Sequence, residues 1–290
     1  MSEFRINAAD IAAMNEILNN LKDAEDGTFV GTDPGLPPGR FGGMTENYKV
    51  MAGIVEKFNH VTTQPVSERI RERLETNGAR YYAGDNISEH LLEGEREELI
   101  AELTDKFTDV LNSLVIDTAK DPNSTGTGKR LAKMYVNEIM AGRYDAKPDV
   151  TAFPNEGTDT YDGMIVIRAD IKSMCSHHHQ TVSGTAFIGI VPEGQVLGLS
   201  KYIRLAQWEA RRGTLQEELT TRIANRMVTE TGSKNVAVYI QAEHGCVSCR
   251  GVSQDNSLTQ TTVLLGGFKS DKAVREEFYH NVQMQTQYKK

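Results

Sequence analysis

The residues most able to do chemistry lie in two short segments. One reads Cys-Ser-His-His-His from Cys175, and the other reads His-Gly-Cys from His244. Cys175 and His178 are close enough in sequence for one bent segment to direct a thiolate and an imidazole at the same point. Cys246 can supply a third ligand. Three nitrogen and sulfur ligands with a fourth position open are typical of catalytic zinc, whereas structural zinc is usually closed by four protein ligands.

The remaining histidines of these segments, His177, His179 and His244, would then flank the metal as proton donors and acceptors. On spacing alone a structural alternative stays open, in which the cysteines are small buried apolar residues and the histidines belong to a polar turn. Cys249 forms a C-x-x-C pair with Cys246, which by itself would also suit a redox pair or a fourth zinc ligand. We predict that Cys249 is structural, because residues three apart on a strand point to opposite faces.

The composition is that of an ordinary globular protein. A chain of 290 residues, 39% of them hydrophobic and 25% charged, can bury a core as one large domain or two. No run approaches the roughly 18 apolar residues of a membrane span, and the start carries no secretory signal. We therefore expect a cytoplasmic protein, whose three cysteines stay reduced. The net charge of −8 argues against nucleic-acid and membrane partners but permits a local cationic pocket for a phosphorylated small molecule.

The first half of the chain is predicted to be an arm followed by helices. Residues 1–60 hold a possible helix at 8–21 and a stretch at 27–43 that is too rich in glycine and proline for a regular element. This arm has no assigned role, residues 61–150 form a helical N-terminal region, and residues 151–290 form the catalytic domain. Apolar spacing of three and four predicts helices at 66–77, 94–115 and 129–140.

The second half changes from helical to strand periodicity. Alternation predicts two paired strands, then two helices, then two further strands and a closing helix. The predicted ranges are strands 164–171 and 181–191, helices 201–212 and 215–230, strands 235–242 and 257–268, and helix 271–281. This order predicts an α+β fold with an antiparallel sheet covered by helices on one face.

Several motifs occur in a fixed order along the second part of the chain. They are Arg130-Leu-Ala-Lys-Met-Tyr-Val, Cys175-x-His-His, Gly198-Leu-Ser-Lys-x-x-Arg, Leu215-Gln-Glu-x-Leu, Asn235-Val-Ala-Val, His244-x-Cys and Arg250-Gly-Val. In these motifs the chain, from about residue 91 onward, resembles type I GTP cyclohydrolase, a zinc enzyme that converts GTP to 7,8-dihydroneopterin triphosphate and formate. The resemblance implies the tunnelling fold and a toroidal homodecamer with active sites between subunits.

The resemblance also implies residue roles. Cys175, His178 and Cys246 match the zinc ligands, which activate the water that attacks C8 of the purine. His177 and His244 match the acid/base pair. The resemblance does not assign which of the two transfers which proton. Gln216 and Glu217 match the residues that read the guanine edge. The triphosphate-binding positions are matched by Arg130, Ser200, Lys201, Arg204 and Arg250.

The chain departs from the family pattern at three places. Ser176 stands where the family motif has glutamate, His179 stands where an apolar residue is common, and Gly128-Lys129 replaces a proline-containing helix start. The alternative function is therefore a related protein that takes another purine nucleotide or binds one without catalysis. Retention of the predicted zinc residues with His177, His244 and Glu217 favours a working cyclohydrolase feeding folate, pterin or 7-deazaguanine synthesis.

Overall fold

The computed structural model describes residues 64–288, so the predicted arm, residues 1–60, lies outside the described part of the chain. The chain divides into two compact units, residues 1–69 and residues 70–290. Of the first unit, residues 64–69 are described. Residues 70–150 of the predicted helical region and the sheet that carries the predicted site belong to the second unit.

The helices predicted at 66–77, 94–115, 201–212, 215–230 and 271–281 are present, although the last of them runs on to Gln287. Residues 127–144 differ from the prediction, and the short helices Gly245–Ser248 and Gly267–Ser270 were not predicted, the second overlapping the end of the predicted strand 257–268. The helix bounds are α1 Val66–Thr76, α2 Glu95–Ser113, α3 Thr127–Met134, α4 Ala141–Tyr144, α5 Leu199–Ala210, α6 Gln216–Thr231, α7 Gly245–Ser248, α8 Gly267–Ser270 and α9 Lys272–Gln287. Within residues 64–288, no helix has both the length and the apolar character needed to cross a membrane.

The strands form a four-stranded antiparallel sheet and a small two-stranded sheet. Their bounds are β1 Ala152–Pro154, β2 Ile165–Met174, β3 Thr181–Ile190, β4 Gln195–Leu197, β5 Val236–His244 and β6 Thr259–Leu264. The large sheet has the order β2-β3-β5-β6, and β1 pairs with β4. The predicted order of strand, strand, helix, helix, strand, strand is confirmed, and so is the α+β class. The predicted loop at 145–163 differs, since it contains the short strand β1.

Helices cover both faces of the large sheet. One face packs on α5 and α6, and its core includes Ala186 and Ile188. The neighbouring residue Phe187 points to the other face, where it packs with Phe268 of α8 and Phe278 of α9. The prediction that helices cover one face is therefore wrong. The closing segment carries its own apolar residues, and burying them requires the second face of the sheet.

The helix predicted at 129–140 changes its winding after α3. Residues Tyr135–Ile139 form a π turn, in which the Met140 N–H donates to the Tyr135 carbonyl at 3.0 Å. The Tyr135 ring packs between Phe107, at 5.2 Å between ring centroids, and His179, at 5.8 Å. Such single π turns are rare and frequently occur at functional sites. Here the turn brings an aromatic ring of the helical region against the predicted histidine segment.

A buried ion-pair cluster fixes the end of α5 nearest this segment. Glu209 is 2% exposed and pairs with Arg212 at 2.9 Å and with Arg226 at 3.0 Å. Arg212 also donates to the carbonyl oxygens of Gly142 and Gly84. Burial lowers the pKa of Arg212 to about 10, and the charge of Glu209 opposes this effect. Charged groups are buried at this cost only when they are paired, so the cluster ties α5 to α6, to α4 and to the loop at Gly84.

Candidate active site

The sheet register brings the two cysteine-bearing segments to one edge. Met174 at the end of β2 pairs with Thr181 at the start of β3, and Val182 of β3 pairs with His244 at the end of β5. Antiparallel pairing therefore places the residues that follow β2 and β5 side by side. Those residues are Cys175 and, on helix α7, Cys246. Strand pairing, rather than sequence proximity, makes them neighbours.

The two thiols lie near each other at this edge. Cys175 is 5% exposed and Cys246 is half-buried, and Cys175 is close enough to act on the pKa of the Cys246 thiol. None of the three cysteines of the chain, all of which are described, forms a disulfide. Burial raises the pKa of the Cys246 thiol, the adjacent Cys175 raises it further, and the nearby Arg250 cation opposes the rise. Two thiols held together in this way suit a soft divalent metal, which binds them as thiolates.

The three consecutive histidines lie on the tight turn that joins β2 to β3. The His179 N–H donates to the Cys175 carbonyl at 2.9 Å, and the Cys175 N–H donates to the Gln180 carbonyl at 2.9 Å. His179 adopts a left-handed backbone, with φ of 51°, which non-glycine residues seldom adopt. The side chains of His177, His178 and His179 are all exposed. The turn thus presents three imidazoles beside the buried Cys175 thiol.

The predicted metal residues are brought together in part. The strand register brings Cys175 and Cys246 near each other, and His178 lies on the same turn as Cys175. Across residues 64–288, however, no three His, Cys, Asp or Glu side chains are grouped closely enough to form a metal cluster. The assignment of Cys175, His178 and Cys246 as zinc ligands stays a prediction.

Cys249 lies in a different local structure from the one assumed for it. Residues Gly245–Ser248 form the short helix α7, and the Cys249 N–H donates to the Gly245 carbonyl at 2.9 Å. The argument that Cys246 and Cys249 point to opposite faces of a strand is therefore wrong, because residues three apart on a helical turn share a side. Cys249 is nevertheless exposed, whereas Cys246 is half-buried.

His244 lies at the end of β5, next to the thiols, and is half-buried. Its Nε2 atom is 2.7 Å from Gln216 Oε1. Burial lowers the pKa of His244, and the negative charge of Glu217 partly opposes that shift. His244 and Glu217 therefore lie close enough to interact electrostatically, which brings a predicted proton-transfer group near a predicted base-reading group.

Gln216 and Glu217 occupy the first turn of α6 but differ in exposure. Glu217 is exposed, so its carboxylate is accessible to a ligand. Gln216 is 3% exposed, and its amide nitrogen donates to Thr261 Oγ1 at 3.0 Å and to two strand carbonyls. The two residues were predicted to share one role. Their surroundings differ, because successive residues of a helix point in directions about 100° apart.

The predicted triphosphate-binding residues lie on separate elements. Ser200 and Lys201 lie in the first turn of α5, with Arg204 one turn later. Arg250 follows α7 and is close enough to Cys246 to oppose the rise in its pKa. Arg130 lies in the first turn of α3, and its guanidinium donates to Thr127 Oγ1 at 2.6 Å and to the Asn123 carbonyl at 2.9 Å. The assignment of these five residues to the triphosphate stays a prediction.

A cavity of about 210 Å³ opens beside α5. Arg204 lines it together with Trp208 and Arg211, two residues that the sequence analysis did not single out. Trp208 and Arg211 follow Arg204 on the same helix at four- and seven-residue spacing, which puts all three on one side of the helix. This helical spacing is visible in the sequence and could have identified Trp208 and Arg211 as neighbours of Arg204.

Fold and site together are those of an α+β enzyme with thiol and imidazole groups at one edge of its sheet. The family model described as GTP cyclohydrolase I matches residues 103–283. GTP cyclohydrolase 1 of Buchnera aphidicola is 42% identical over 190 residues, which cover 64% of this chain and 84% of that protein. GTP cyclohydrolase 1 of Aeromonas hydrophila is 42% identical over 171 residues, covering 58% and 77%. GTP cyclohydrolase 1 of Yersinia enterocolitica is 38% identical over 194 residues, covering 64% and 87%. The chain belongs to the GTP cyclohydrolase I family.

Proposed function

We propose that this protein is a zinc-dependent GTP cyclohydrolase I of the tunnelling fold. It hydrolytically opens the imidazole ring of the guanine of GTP and yields 7,8-dihydroneopterin triphosphate and formate. The observation that carries the proposal is the sheet register, which brings the segments of Cys175 and Cys246 to the end of the sheet where His244 lies, with the charge of Glu217 acting on His244. Thiols, an imidazole and a carboxylate in this region supply the groups that metal binding, proton transfer and base recognition require.

The residues at this edge fit zinc. Two neighbouring thiols, one buried and one half-buried with a raised pKa, match the soft ligands that zinc prefers. His178 would complete the set from the exposed turn that begins at Cys175. Zinc, when bound, would supply the Lewis acidity that makes water a nucleophile near neutral pH. Three reduced cysteines also agree with a cytoplasmic location.

His177 and His244 are the proposed proton-transfer groups. His244 is half-buried with a lowered pKa, so the ring is neutral near pH 7 and can accept a proton. His177 is exposed on the turn next to His178, with 6.4 Å between the two ring centroids. The two imidazoles thus lie in different environments, one accessible to solvent and one partly shielded from it, as suits a pair that gives and takes protons.

Glu217 is the proposed reader of the guanine edge. Its carboxylate is exposed on the first turn of α6 and close enough to His244 to influence its charge. A carboxylate accepts hydrogen bonds and donates none, so it suits the N1–H and 2-amino donors of guanine. Adenine has no donor at N1 and would leave the carboxylate unpaired, which favours GTP over ATP.

The proposed triphosphate contacts come from Ser200, Lys201, Arg204, Arg250 and Arg130. Lys201 and the thiols lie toward opposite ends of α5, because the Thr214 N–H, just past α5, donates to the Met174 carbonyl beside Cys175. By helix rise, Lys201 is about 14 Å from the end of α5 at Ala210. This separation supports a site completed by cations of a neighbouring copy, within a homodecamer.

The test is to incubate the purified, zinc-loaded full chain with GTP and to measure formate and, after oxidation, pterin fluorescence. We expect both products from GTP and neither from ATP. A Cys246→Ser chain is the matched control for chemistry that depends on the thiol pair. Binding of GTP without release of formate would overturn the proposal and would favour the nucleotide-binding alternative.

A further inference from the structure

Gln216 is a buried amide whose two ends face different partners. The side chain is 3% exposed. Its nitrogen donates toward Thr261 Oγ1 at 3.0 Å, the Thr259 carbonyl at 3.2 Å and the Ile240 carbonyl at 3.3 Å. Its oxygen lies 2.7 Å from His244 Nε2. The amide therefore connects the strands β5 and β6 to the imidazole at the end of β5.

The chemistry of these partners fixes the orientation of the amide. A backbone carbonyl can accept a hydrogen bond but cannot donate one. Rotating the amide by half a turn would place its oxygen against the carbonyls of Ile240 and Thr259, and a buried oxygen without a donor is unfavourable. The amide nitrogen must therefore face the strands, and the Gln216 oxygen must face His244.

The same reasoning fixes which nitrogen of His244 carries the hydrogen. Since Gln216 Oε1 can only accept, the His244 Nε2 atom must donate. In the neutral ring one nitrogen donates and the other accepts, so Nδ1 is the acceptor. Among residues 64–288, Nδ1 of His244 has no hydrogen-bond partner, and it is therefore the nitrogen available to a ligand.

We propose that Gln216 is a positioning residue that holds the His244 ring with its hydrogen on Nε2, so that Nδ1 is the atom that exchanges a proton with the substrate. This assignment rests on the proposed function and replaces direct contact of the Gln216 side chain with guanine. The amide acts through His244, because its own donors are used by the strands.

The first test separates positioning from substrate contact. Gln216→Met keeps the length of the side chain but removes both ends of the amide. We expect kcat to fall about tenfold to 100-fold, which is less than the loss usually caused by removing an acid/base group itself. The KM for GTP should stay within about twofold of the wild-type value. Zinc content should be unchanged. A KM that rises tenfold or more with kcat preserved would be the signature of base contact and would overturn the proposal.

The control variant is Thr220→Val. The Thr220 hydroxyl belongs to the same buried cluster, where it lies 2.7 Å from Thr261 Oγ1 and donates to the Gln216 carbonyl, but it does not touch His244. This variant should lose stability while keeping the wild-type kcat. An equal loss of kcat in Thr220→Val would show that kcat follows general destabilisation of the cluster, and the proposal would fail.

A double-mutant cycle with His244→Ala tests whether Gln216 acts through the ring. If it does, Gln216→Met should cause no further loss of kcat once the imidazole is gone. Losses that multiply would overturn the proposal.

If Gln216→Met does not fold, Gln216→Glu serves instead, because a protonated carboxyl of the same shape can donate to the strands and accept from His244. It should keep kcat within about tenfold of wild type at unchanged KM, and a large change in KM would again indicate base contact.

A readout without turnover distinguishes this proposal from the proposed function. Crystal structures of the wild type and of Gln216→Met should show the His244 ring rotated or disordered in the variant. If the wild type released no formate from GTP, the proposed function would fail while this comparison would still decide the role of Gln216. An unmoved His244 ring in the variant would overturn the positioning role.

Discussion

At the residue scale, the thiol pair decides whether the protein holds metal. Replacing Cys246 with Ser leaves the hydroxyl too weakly acidic to replace a thiolate, and the residue is half-buried at the end of the sheet rather than central to the core. We expect a folded Cys246→Ser chain whose zinc content drops from about one per subunit to a small fraction. Metal analysis of the purified protein, with circular dichroism as the check on folding, measures this.

Cys249→Ser is the matched control, because Cys249 is the exposed partner in the same C-x-x-C sequence. It should retain full zinc. Full zinc in Cys246→Ser, or loss of zinc in Cys249→Ser, would mean that the ligand set is wrong.

Since burial raises the pKa of Cys246, the thiol stays protonated to higher pH, and zinc must displace that proton. Zinc affinity should therefore fall as the pH is lowered.

Glu217 governs the choice of base if it reads the guanine edge. Glu217→Gln turns one accepting oxygen into an amide donor that faces a donor of guanine. Once the bound base covers residue 217, an unmet polar group there costs about 1–3 kcal/mol, so we expect discrimination between GTP and ATP to fall by about that amount. Calorimetric binding of GTP and ATP to each variant measures the difference.

Arg204→Ala provides the comparison for this prediction. Arg204 is exposed and lines the cavity beside α5, so its loss should weaken both nucleotides alike through the phosphates. Equal losses for GTP and ATP in Glu217→Gln would show that the carboxylate does not read the base. A related protein with a shifted substrate would then be the better interpretation.

At the element scale, close packing of α3 on α2 needs a residue without a side chain at the start of α3. A Cβ atom on Gly128 would lie 2.2 Å from Thr108 Oγ1 and 2.6 Å from the Thr104 carbonyl oxygen. The hydroxyl could rotate away, but the backbone carbonyl belongs to α2 and cannot move without moving the helix. Gly128 thus allows α3 to approach α2 closely.

Gly128→Ala should therefore destabilise the protein by about 1–3 kcal/mol, as overpacking of a tight contact usually does. Urea unfolding followed by circular dichroism gives the free energy of unfolding. Gly194→Ala is the control, since a Cβ atom added to Gly194 would meet nothing within 4 Å and its turn is exposed. A cost below about 0.5 kcal/mol in Gly128→Ala, equal to that of a surface substitution, would contradict the packing argument.

At the scale of the whole molecule, the separation between Lys201 and the thiols predicts sites shared between copies. Neither Lys201→Ala nor Cys246→Ser should be active alone, because each lacks one half of the site. When the two chains are co-expressed, a site that combines an intact Lys201 from one copy with an intact Cys246 from another should restore turnover. The measurement is formate release by the co-purified assembly.

The control is co-expression of Lys201→Ala with a chain that carries both substitutions. That mixture has no intact Lys201 and should stay inactive. If co-expressed Lys201→Ala and Cys246→Ser chains are no more active than the sum of the two single variants, the whole site lies within one subunit. Sedimentation analysis of the wild type, with a homodecamer expected, supplies the independent check on assembly.

The sequence by itself determined the order and type of the elements. Apolar residues at a spacing of three and four marked α2, α5 and α6, and alternation marked β2, β3 and β5, because each pattern reflects a local periodicity of the backbone. It also marked Cys175, His244 and Cys246 as the residues able to do chemistry, since residue type and spacing are legible without contacts. Periodicity did not resolve the helix interrupted by the π turn at Tyr135, the short strand β1 or the short helix α7.

Tertiary structure alone decided which of these residues meet. The pairing of Val182 with His244 makes Cys175 and Cys246 neighbours, and that register depends on contacts between distant segments. The same is true of the closing helix, which covers the second face of the sheet, and of Gln216, whose burial separates it from the exposed Glu217 next to it. A sequence pattern records which side of an element is apolar. Which partner buries that side follows from the packing of the whole chain, where non-local contacts offset the loss of conformational entropy.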